Sequence, residues 1–274
     1  MKIPYVNLKA QWDSEKKEIL PIIEKTFSKG QFVNGSEINQ FEKNISKVCG
    51  TKYAVALNSG TDALTLGMHL LGVRKGDEVI TPPNSFISST SSICHLGAKP
   101  VFVDVLDDQN INPDLIEKNI TKRTKAIMPV HLTGRIAEMN EIKRISKRYN
   151  IPIIEDAAQS VGSKYYKKKA GSFGEIGCFS AHPLKNLNAC GDSGYITTNN
   201  SEIYKKAKEA RNNGIVNRNI VKKFSYLSRM DVLQANILNY RLKKLNMIIK
   251  KRRENSNFYF KNLDRNKFHL INEK

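Results

Sequence analysis

The sequence is short of several things that would direct its reading elsewhere. Its four cysteines, Cys49, Cys94, Cys178 and Cys190, show neither the paired spacing of a disulfide framework nor that of a zinc site. They read as reduced, mostly buried small apolar side chains of a cytosolic protein. No stretch approaches the roughly 20 apolar residues that cross a bilayer. No apolar run follows Met1-Lys2-Ile3-Pro4-Tyr5, so the start does not read as a signal peptide. Repeats, low-complexity tracts and flexible linkers are missing, which sets aside arrays and disordered tethers. There is no Walker loop and no dinucleotide fingerprint.

Acid is also scarce: 26 acidic residues face 45 basic ones, a net charge of +19. Such an excess suits nucleic acid or an anionic membrane. Yet 33 of the basic residues are lysines scattered through the chain, which is a compositional bias rather than a footprint. The densest run, Arg241 to Arg253, holds seven basic residues and no acid. Leu238, Leu242, Leu245 and Ile249 fall at helical spacing through it, so its charges read as the solvated face of an amphipathic helix. The expectation is therefore neither a nucleic-acid partner nor a membrane.

What is present is ordinary for a soluble globular protein: 40% hydrophobic and 26% charged residues, in 274 positions. That length can bury a full core, as one large domain or one large and one small. Residues 1–30 read as a short extended start and a helix carrying Ile19, Ile22, Ile23 and Phe27, and a second helix spans 36–48. Strands at 53–57, 78–81, 100–103, 126–130 and 151–154 then alternate with helices at 61–71, 85–96, 113–120 and 139–149. This alternation predicts an α/β fold with a largely parallel sheet and helices on both faces. Further on come a strand at 195–198, a helix at 201–213 capped by Ser201, a polar loop to about 228, and one long helix over 230–263. In such a sheet, ligands sit at the carboxyl ends of the strands.

The chemistry-bearing residues fall at those ends. The chain is organised around Cys178-Phe179-Ser180-Ala181-His182-Pro183-Leu184-Lys185, followed by the turn Gly191-Asp192-Ser193-Gly194. A lysine amine can form a Schiff base with an aldehyde cofactor if it is held and partly desolvated. The apolar neighbours of Lys185 suit that, although a lone lysine is more often a solvated surface residue. Asn58-Ser59-Gly60-Thr61 leaves a strand and opens a helix, whose free N–H groups can hold a phosphate. Ser59 or Thr61 as a plain helix cap is the competing reading, and the turn alone does not decide. Phe86, after Pro82-Pro83-Asn84-Ser85, is placed to lie over a flat ring or to fill a core. Asp156, in Glu155-Asp156-Ala157-Ala158-Gln159, ends an apolar strand, where an acid needs a partner. A pyridinium nitrogen is such a partner, and Gln159 can donate to the ring oxygen. A metal ranks lower, because no histidine or second carboxylate cluster lies nearby in sequence.

A phosphate turn, a stacking aromatic, an acid for a ring nitrogen and a serine five residues before a lysine together match what pyridoxal phosphate requires. From about 34 to 263 the chain resembles the sugar-nucleotide aminotransferase family (the DegT/DnrJ/StrS group). The resemblance rests on NSGTDAL (58–64), GDEVITPPNSF (76–86), KPVFVDV (99–105), TKAIMPVHLTG (124–134), IPIIEDAAQSVG (151–162), FSAHPLKNLNACGDSG (179–194) and RMDVLQANIL (229–238). It implies a fold-type-I pyridoxal-phosphate enzyme working as a homodimer, with sites at the subunit interface. Lys185 would hold the cofactor and shuttle the proton. Asp156 would pair with the ring nitrogen, Gln159 would contact the ring hydroxyl and Phe86 would stack. Gly60, Thr61 and Ser180 would hold the phosphate. The implied reaction moves an amino group from glutamate to a nucleotide-linked keto-sugar, and lysine rather than histidine at 185 favours transamination over dehydration.

Three departures accompany the resemblance. Leu227 stands where the family has an asparagine that reaches the partner subunit's cofactor phosphate. Ser193 replaces a common glycine. Family chains also continue past the long helix into a small C-terminal domain, whereas this one stops at Lys274. The expected division is a large cofactor-binding domain over 1–228, and a long helix starting a truncated domain over 229–274. The alternative is a homologue that binds the cofactor without turning over, or a non-catalytic partner subunit.

Overall fold

The computed structural model describes residues 6–217 and 219–271. It opens with two helices, α1 (Leu8–Ser28) and α2 (Ser36–Cys49). The alternating part is β1 (Tyr53–Leu57), α3 (Gly60–Leu70), β2 (Glu78–Thr81), α4 (Ile87–His95), β3 (Lys99–Phe102), β4 (Thr124–Ile127), α5 (Met139–Tyr149) and β5 (Ile154–Asp156). A small hairpin, β6 (Lys164–Tyr165) with β7 (Lys168–Lys169), leads to β8 (Ile176–Ser180) and β9 (Gly194–Thr198). Then come α6 (Ser201–Ala210), the hairpin of β10 (Ile215–Asn217) and β11 (Ile220–Val221), α7 (Val232–Leu242) and α8 (Leu245–Asn262).

Strands β3, β2 and β4 pair in parallel, as do β5 and β8. Parallel bridges Ile127↔Ile153 and Val130↔Asp156 join these groups, giving one sheet in the order β3-β2-β4-β5-β8-β9-β1. The largely parallel sheet expected from the alternation is there, with one exception. β9 runs antiparallel to both β8 and β1, because the 181–193 connection from β8 holds no crossover helix and returns on the same edge.

Successive strand residues feed two cores, one on each face. Ala54, Ile80, Phe179 and Tyr195 pack with Phe41 of α2, Ile142 of α5 and Leu238 of α7. Val55, Val79, Cys178 and Ile196 pack with Leu64 and Met68 of α3, Ile93 of α4 and Ala207 of α6. A sheet buried on both faces leaves its carboxyl edge as the natural place for a ligand.

Several local expectations need correction. The helix expected over 113–120 is two 3-10 turns, Pro113–Leu115 and Glu117–Asn119, closed by three-residue bonds such as Ile116 N–H to the Pro113 carbonyl. The cap of α6 is Asn200, whose side chain accepts from Glu202 and Ile203 N–H, rather than Ser201. The polar stretch before residue 228 contains the β10–β11 hairpin, and the β6–β7 hairpin has no counterpart among the expected elements. The long helix is broken: Lys243 and Lys244 N–H bond the carbonyls of Tyr240 and Arg241, and this tighter turn ends α7 and redirects α8. Arg241 is not on a solvated face; it is 4% exposed. Cys49 and Cys178 are buried, but Cys94 and Cys190 are exposed. Burial pushes the Cys49 thiol up to about 12, so it behaves as an apolar side chain. Among the described residues no helix is long and apolar enough to cross a membrane.

Candidate active site

The seven residues singled out in the sequence all end or follow strands that finish at the carboxyl edge of the sheet, and Gly60 packs directly on Ser180. Asp156 is the last residue of β5, which spans Ile154–Asp156 and so reaches two residues beyond the strand expected over 151–154. Its register partner on β8 is Cys178, so the lysine loop leaves the sheet beside it. Alternation sends the two neighbouring acids to opposite faces. Glu155 turns into the fold, where His131 Nε2 (2.9 Å) and the N–H groups of Gly171 (2.8 Å), Phe173 (2.7 Å) and Gly174 (2.8 Å) surround its carboxylate. His131 Nδ1 accepts from Ala137 N–H at 3.3 Å, which leaves the proton on Nε2 to donate to Glu155. Glu155 is therefore fully matched within the protein.

Asp156 turns to the site edge with fewer partners. Ser89 Oγ donates to Oδ2 at 2.6 Å and Ala158 N–H to Oδ1 at 3.2 Å. Burial raises the Asp156 carboxyl above its ordinary range, and these two hydrogen bonds pull against it. Lys185 is half-buried in the loop beyond β8. Burial lowers its amine below the usual lysine value, and the facing charge of Asp156 opposes that shift. The two groups thus sense one another, one acid and one base, each moved by desolvation toward its neutral form.

The turn from β1 into α3 is built by close approach. A Cβ on Gly60 would sit 2.6 Å from Ser180 Cβ, and one on Gly194 would sit 2.3 Å from the carbonyl carbon and oxygen of Ser59. Only glycines allow the turn to nest against the ends of β8 and β9. Ser59 is the helix cap, accepting from Asp62 N–H at 3.0 Å, which settles the capping question for that residue. Thr61 is not the cap; its hydroxyl donates to Ser88 Oγ of α4 at 2.9 Å. The first intrahelical acceptor, Ser59 C=O, takes Ala63 N–H, so Gly60 and Thr61 N–H lie ahead of the ladder of α3.

These neighbours run around the strand ends. Lys185 is close enough to Asp156 for their charges to act on each other; Asp156 is held by Ser89; the adjacent Ser88 meets Thr61; and Gly60 packs on Ser180, where the lysine loop begins. Gln159 stands to one side, its Oε1 accepting from Thr133 N–H at 3.1 Å, which leaves its Nε2 as the free donor end. Phe86 precedes α4 on the same rim and is 69% exposed, so it is not the core aromatic that was its alternative.

Sequence reading missed several contributors. Ser89 was hidden in the serine-rich run 88–92, although buried serines in a helix packed on a sheet are a signal that something needs them. Ser228 ties two parts of the site together: its hydroxyl donates to Asp62 Oδ2 at 2.7 Å and accepts from Asn58 N–H at 3.2 Å. Leu227, beside it, is 57% exposed. Among the described residues no group of three or more His, Cys, Asp or Glu side chains could hold a metal.

The chain is similar to known sugar-processing proteins over nearly its whole length. It is 39% identical over 271 residues to the dTDP-3-amino-3,6-dideoxy-alpha-D-galactopyranose transaminase of Aneurinibacillus thermoaerophilus, covering 98% of this chain and 74% of that one. It is 36% identical over 265 residues to a protein of Geobacillus stearothermophilus named pleiotropic regulatory protein, covering 96% and 71%. The structure of NtdA from Bacillus subtilis with bound cofactor PMP superposes with a TM-score of 0.83 at 36% identity, over 90% of this chain and 57% of that one. Other curated relatives are matched over 64 to 66% of their length, so the chain spans about two thirds of several of them. The model of the DegT/DnrJ/EryC1/StrS aminotransferase family matches residues 13–273, and with these likenesses it shows that the chain belongs to this family of pyridoxal-phosphate-dependent enzymes.

Proposed function

We propose that the protein is a pyridoxal-phosphate-dependent aminotransferase that moves an amino group, with glutamate as donor, onto a nucleotide-linked keto-sugar. The observation that carries this reading is the parallel register of β5 and β8, which brings Asp156 and the loop of Lys185 to one edge, where the charge of each biases the other. The residues fit the cofactor on structural grounds. A side chain at Gly60 or Gly194 would fill the turn proposed for the phosphate, and Asp156 is a buried carboxylate whose hydrogen bonds, from Ser89 Oγ and Ala158 N–H, come from uncharged donors. The bound cofactor would supply an aldehyde and a ring that accepts an electron pair.

The chain's own residues do the rest. Gly60 and Thr61 N–H, with the Ser180 hydroxyl, bind the phosphate. Asp156 would keep a proton on the ring nitrogen, with Ser89 orienting its carboxylate. Gln159 Nε2 would donate to the ring hydroxyl, and Phe86 would cover the ring face. Lys185, its amine made less basic by burial, would provide the attaching nitrogen and carry the proton. The likeness to sugar transaminases supports the substrate class. The exposed apolar side chains Phe86, Ile87 and Leu227 at the rim support a homodimer with shared sites. The division at residues 228 and 229 into a cofactor-binding body and a following helical part belongs to the same reading.

A second reading, cofactor binding without turnover, is favoured by Leu227, an apolar side chain where the family places an amide. One experiment separates them. The purified protein is loaded with pyridoxal phosphate, reduced with borohydride and digested. An adduct on the Lys185 peptide, lost in Lys185→Ala, is expected. Release of 2-oxoglutarate from glutamate is expected with it. Adduct without 2-oxoglutarate leaves the second reading; no adduct on Lys185 removes both.

A further inference from the structure

The loop that carries Lys185 is held from behind by a charge pair that sits outside the site. Residues 181–189 close on themselves: Ala189 N–H donates to the Ala181 carbonyl at 2.7 Å, and Asn188 Nδ2 donates to the Pro183 carbonyl at 2.8 Å. Lys185 lies at the tip, its N–H bonded to the His182 carbonyl at 2.9 Å. Arg241 of α7 grips the base of this loop. Its Nη1 donates to the carbonyls of Asn188 (2.9 Å) and Ala189 (3.2 Å), while Nε (3.0 Å) and Nη2 (2.9 Å) both meet Glu15 Oε2 of α1. Gln234, two turns earlier on α7, accepts from Cys190 N–H at 2.9 Å and donates to the Cys190 carbonyl at 3.3 Å. Three consecutive residues of the loop's exit are thus bonded through their backbone to one helix.

Glu15 is 6% and Arg241 4% exposed. A buried ion pair is a poor source of stability, because desolvating both charges costs about as much as their attraction returns, and a packed apolar pair often does as well. What the guanidinium adds is geometry: three N–H directions fixed in a plane, two on the carboxylate and one on the loop carbonyls. Because Lys185 sits only a few residues from those carbonyls, rotation of the loop about its base changes the burial of the amine and its distance from Asp156.

We propose that Glu15 and Arg241 are positioning residues for Lys185: through the Asn188 and Ala189 carbonyls they set the depth at which the lysine amine faces Asp156. This rests on the reading of Lys185 as the attaching amine, but its test does not. In the cofactor-free protein, the pH dependence of Lys185 acylation by trace acetic anhydride, followed by peptide mass spectrometry, reads the amine's apparent pKa. Arg241→Met is expected to raise it toward that of surface lysines by about half a pH unit or more. It should also cut borohydride-trapped pyridoxal phosphate on Lys185 by about tenfold at limiting cofactor. Glu15→Gln should act in the same direction, and Arg241→Lys should restore little, because a point charge cannot serve both partners.

Glu78→Gln is the control for a merely structural effect. Glu78 is buried at the opposite, amino end of β2 and is held by Thr121 and Arg123. It should lower the melting temperature and leave Lys185 acylation unchanged. If Arg241→Met does not fold, Gln234→Ala, which removes only the Cys190 contacts, must shift Lys185 in the same direction. Arg241 and Glu15 variants that melt earlier with an unshifted Lys185 profile would overturn the proposal. A wild-type protein that shows the acylation difference but traps no cofactor would instead count against the proposed function.

Discussion

Ser89 Oγ donates to Asp156 Oδ2 at 2.6 Å, joining the first turn of α4 to the last residue of β5. The bond is buried, and Ser85 Oγ lies 2.7 Å from Ser89 Oγ, one helical turn back. Burial raises the Asp156 carboxyl, and the Ser89 bond is the largest influence lowering it. Ser89→Ala should therefore raise the carboxyl further, while Ser89→Thr should keep it in place. A bond of this kind is worth about 1.5–3 kcal/mol to the charged form, so the serine-to-alanine change should cost roughly tenfold or more in kcat/KM. Carbon-13 NMR of the Asp156 carboxyl in the cofactor-free protein reads the titration directly. An unmoved titration in Ser89→Ala would remove the positioning role.

The alternation of strand and helix, the parallel sheet and the placement of all seven candidate residues at one edge were legible from apolar periodicity and from glycines at turns. What was not legible depended on which way a side chain points. Glu155 and Asp156 are adjacent acids, and a pattern of apolar residues does not say which faces the ligand. The register of β5 against β8 decides it, by sending Glu155 into a cage of four donors. A basic run on a helix reads as a solvated face, and Arg241 lies in one. Its burial follows from a partner, Glu15, that is 226 residues away in sequence. The break between α7 and α8 has no glycine or proline to announce it. Long-range contacts of this kind leave no local mark.

The Glu155 cage makes a sharp stability prediction. Each carboxylate oxygen accepts two donors: His131 Nε2 and Gly171 N–H on Oε2, and Phe173 and Gly174 N–H on Oε1. Glu155→Gln is nearly isosteric, but it sets an amide NH2 against two of those donors. Breaking a matched buried charge in this way costs about 3–5 kcal/mol, and urea denaturation of the cofactor-free protein should show that loss. A variant within about 0.5 kcal/mol of wild type, the range of ordinary surface changes, would mean the cage adds nothing.

Asp156 should behave in the opposite way. Its carboxyl titrates higher in the folded chain than in the unfolded chain, where the value is about 3.9. The unfolded state then gives up the proton first. This residue's contribution to stability is best at low pH, falls as pH climbs from the unfolded value to the folded one, and is level beyond. Asp156→Asn has no such loss. The melting temperature of the cofactor-free variant minus that of wild type should therefore widen as pH rises from about 4 through the carboxylate range, by about 2–4 °C per kcal/mol for a chain of this order. Parallel melting profiles from acid to neutral pH would show that burial does not strain this carboxylate.

Gly60 and Gly194 both belong to the tight packing at the turn proposed for the phosphate, but the neighbours that exclude a side chain differ. At Gly60 the added Cβ would meet a side chain, Ser180 Cβ at 2.6 Å, with Ser180 Cα at 3.1 Å behind it. At Gly194 it would meet backbone, the Ser59 carbonyl at 2.3 Å and Gly60 N at 2.6 Å. Overpacking of this sort costs about 1–3 kcal/mol; Ser180 Cβ is as fixed by the backbone as the Ser59 carbonyl, so the closer approach at Gly194 sets the larger cost. Gly194→Ala should therefore show the greater loss in urea denaturation. Both variants should bind pyridoxal phosphate more weakly by about tenfold or more in a fluorescence titration, since each displaces the first N–H groups of α3. Adding Ser180→Gly to Gly60→Ala removes the clashing Cβ, so it should return most of the lost stability. It should not return the affinity, because the serine hydroxyl leaves with the clash. Stability that stays low in the double variant would show that something other than this contact requires glycine at position 60, and affinity that returns in full would remove Ser180 from the phosphate site.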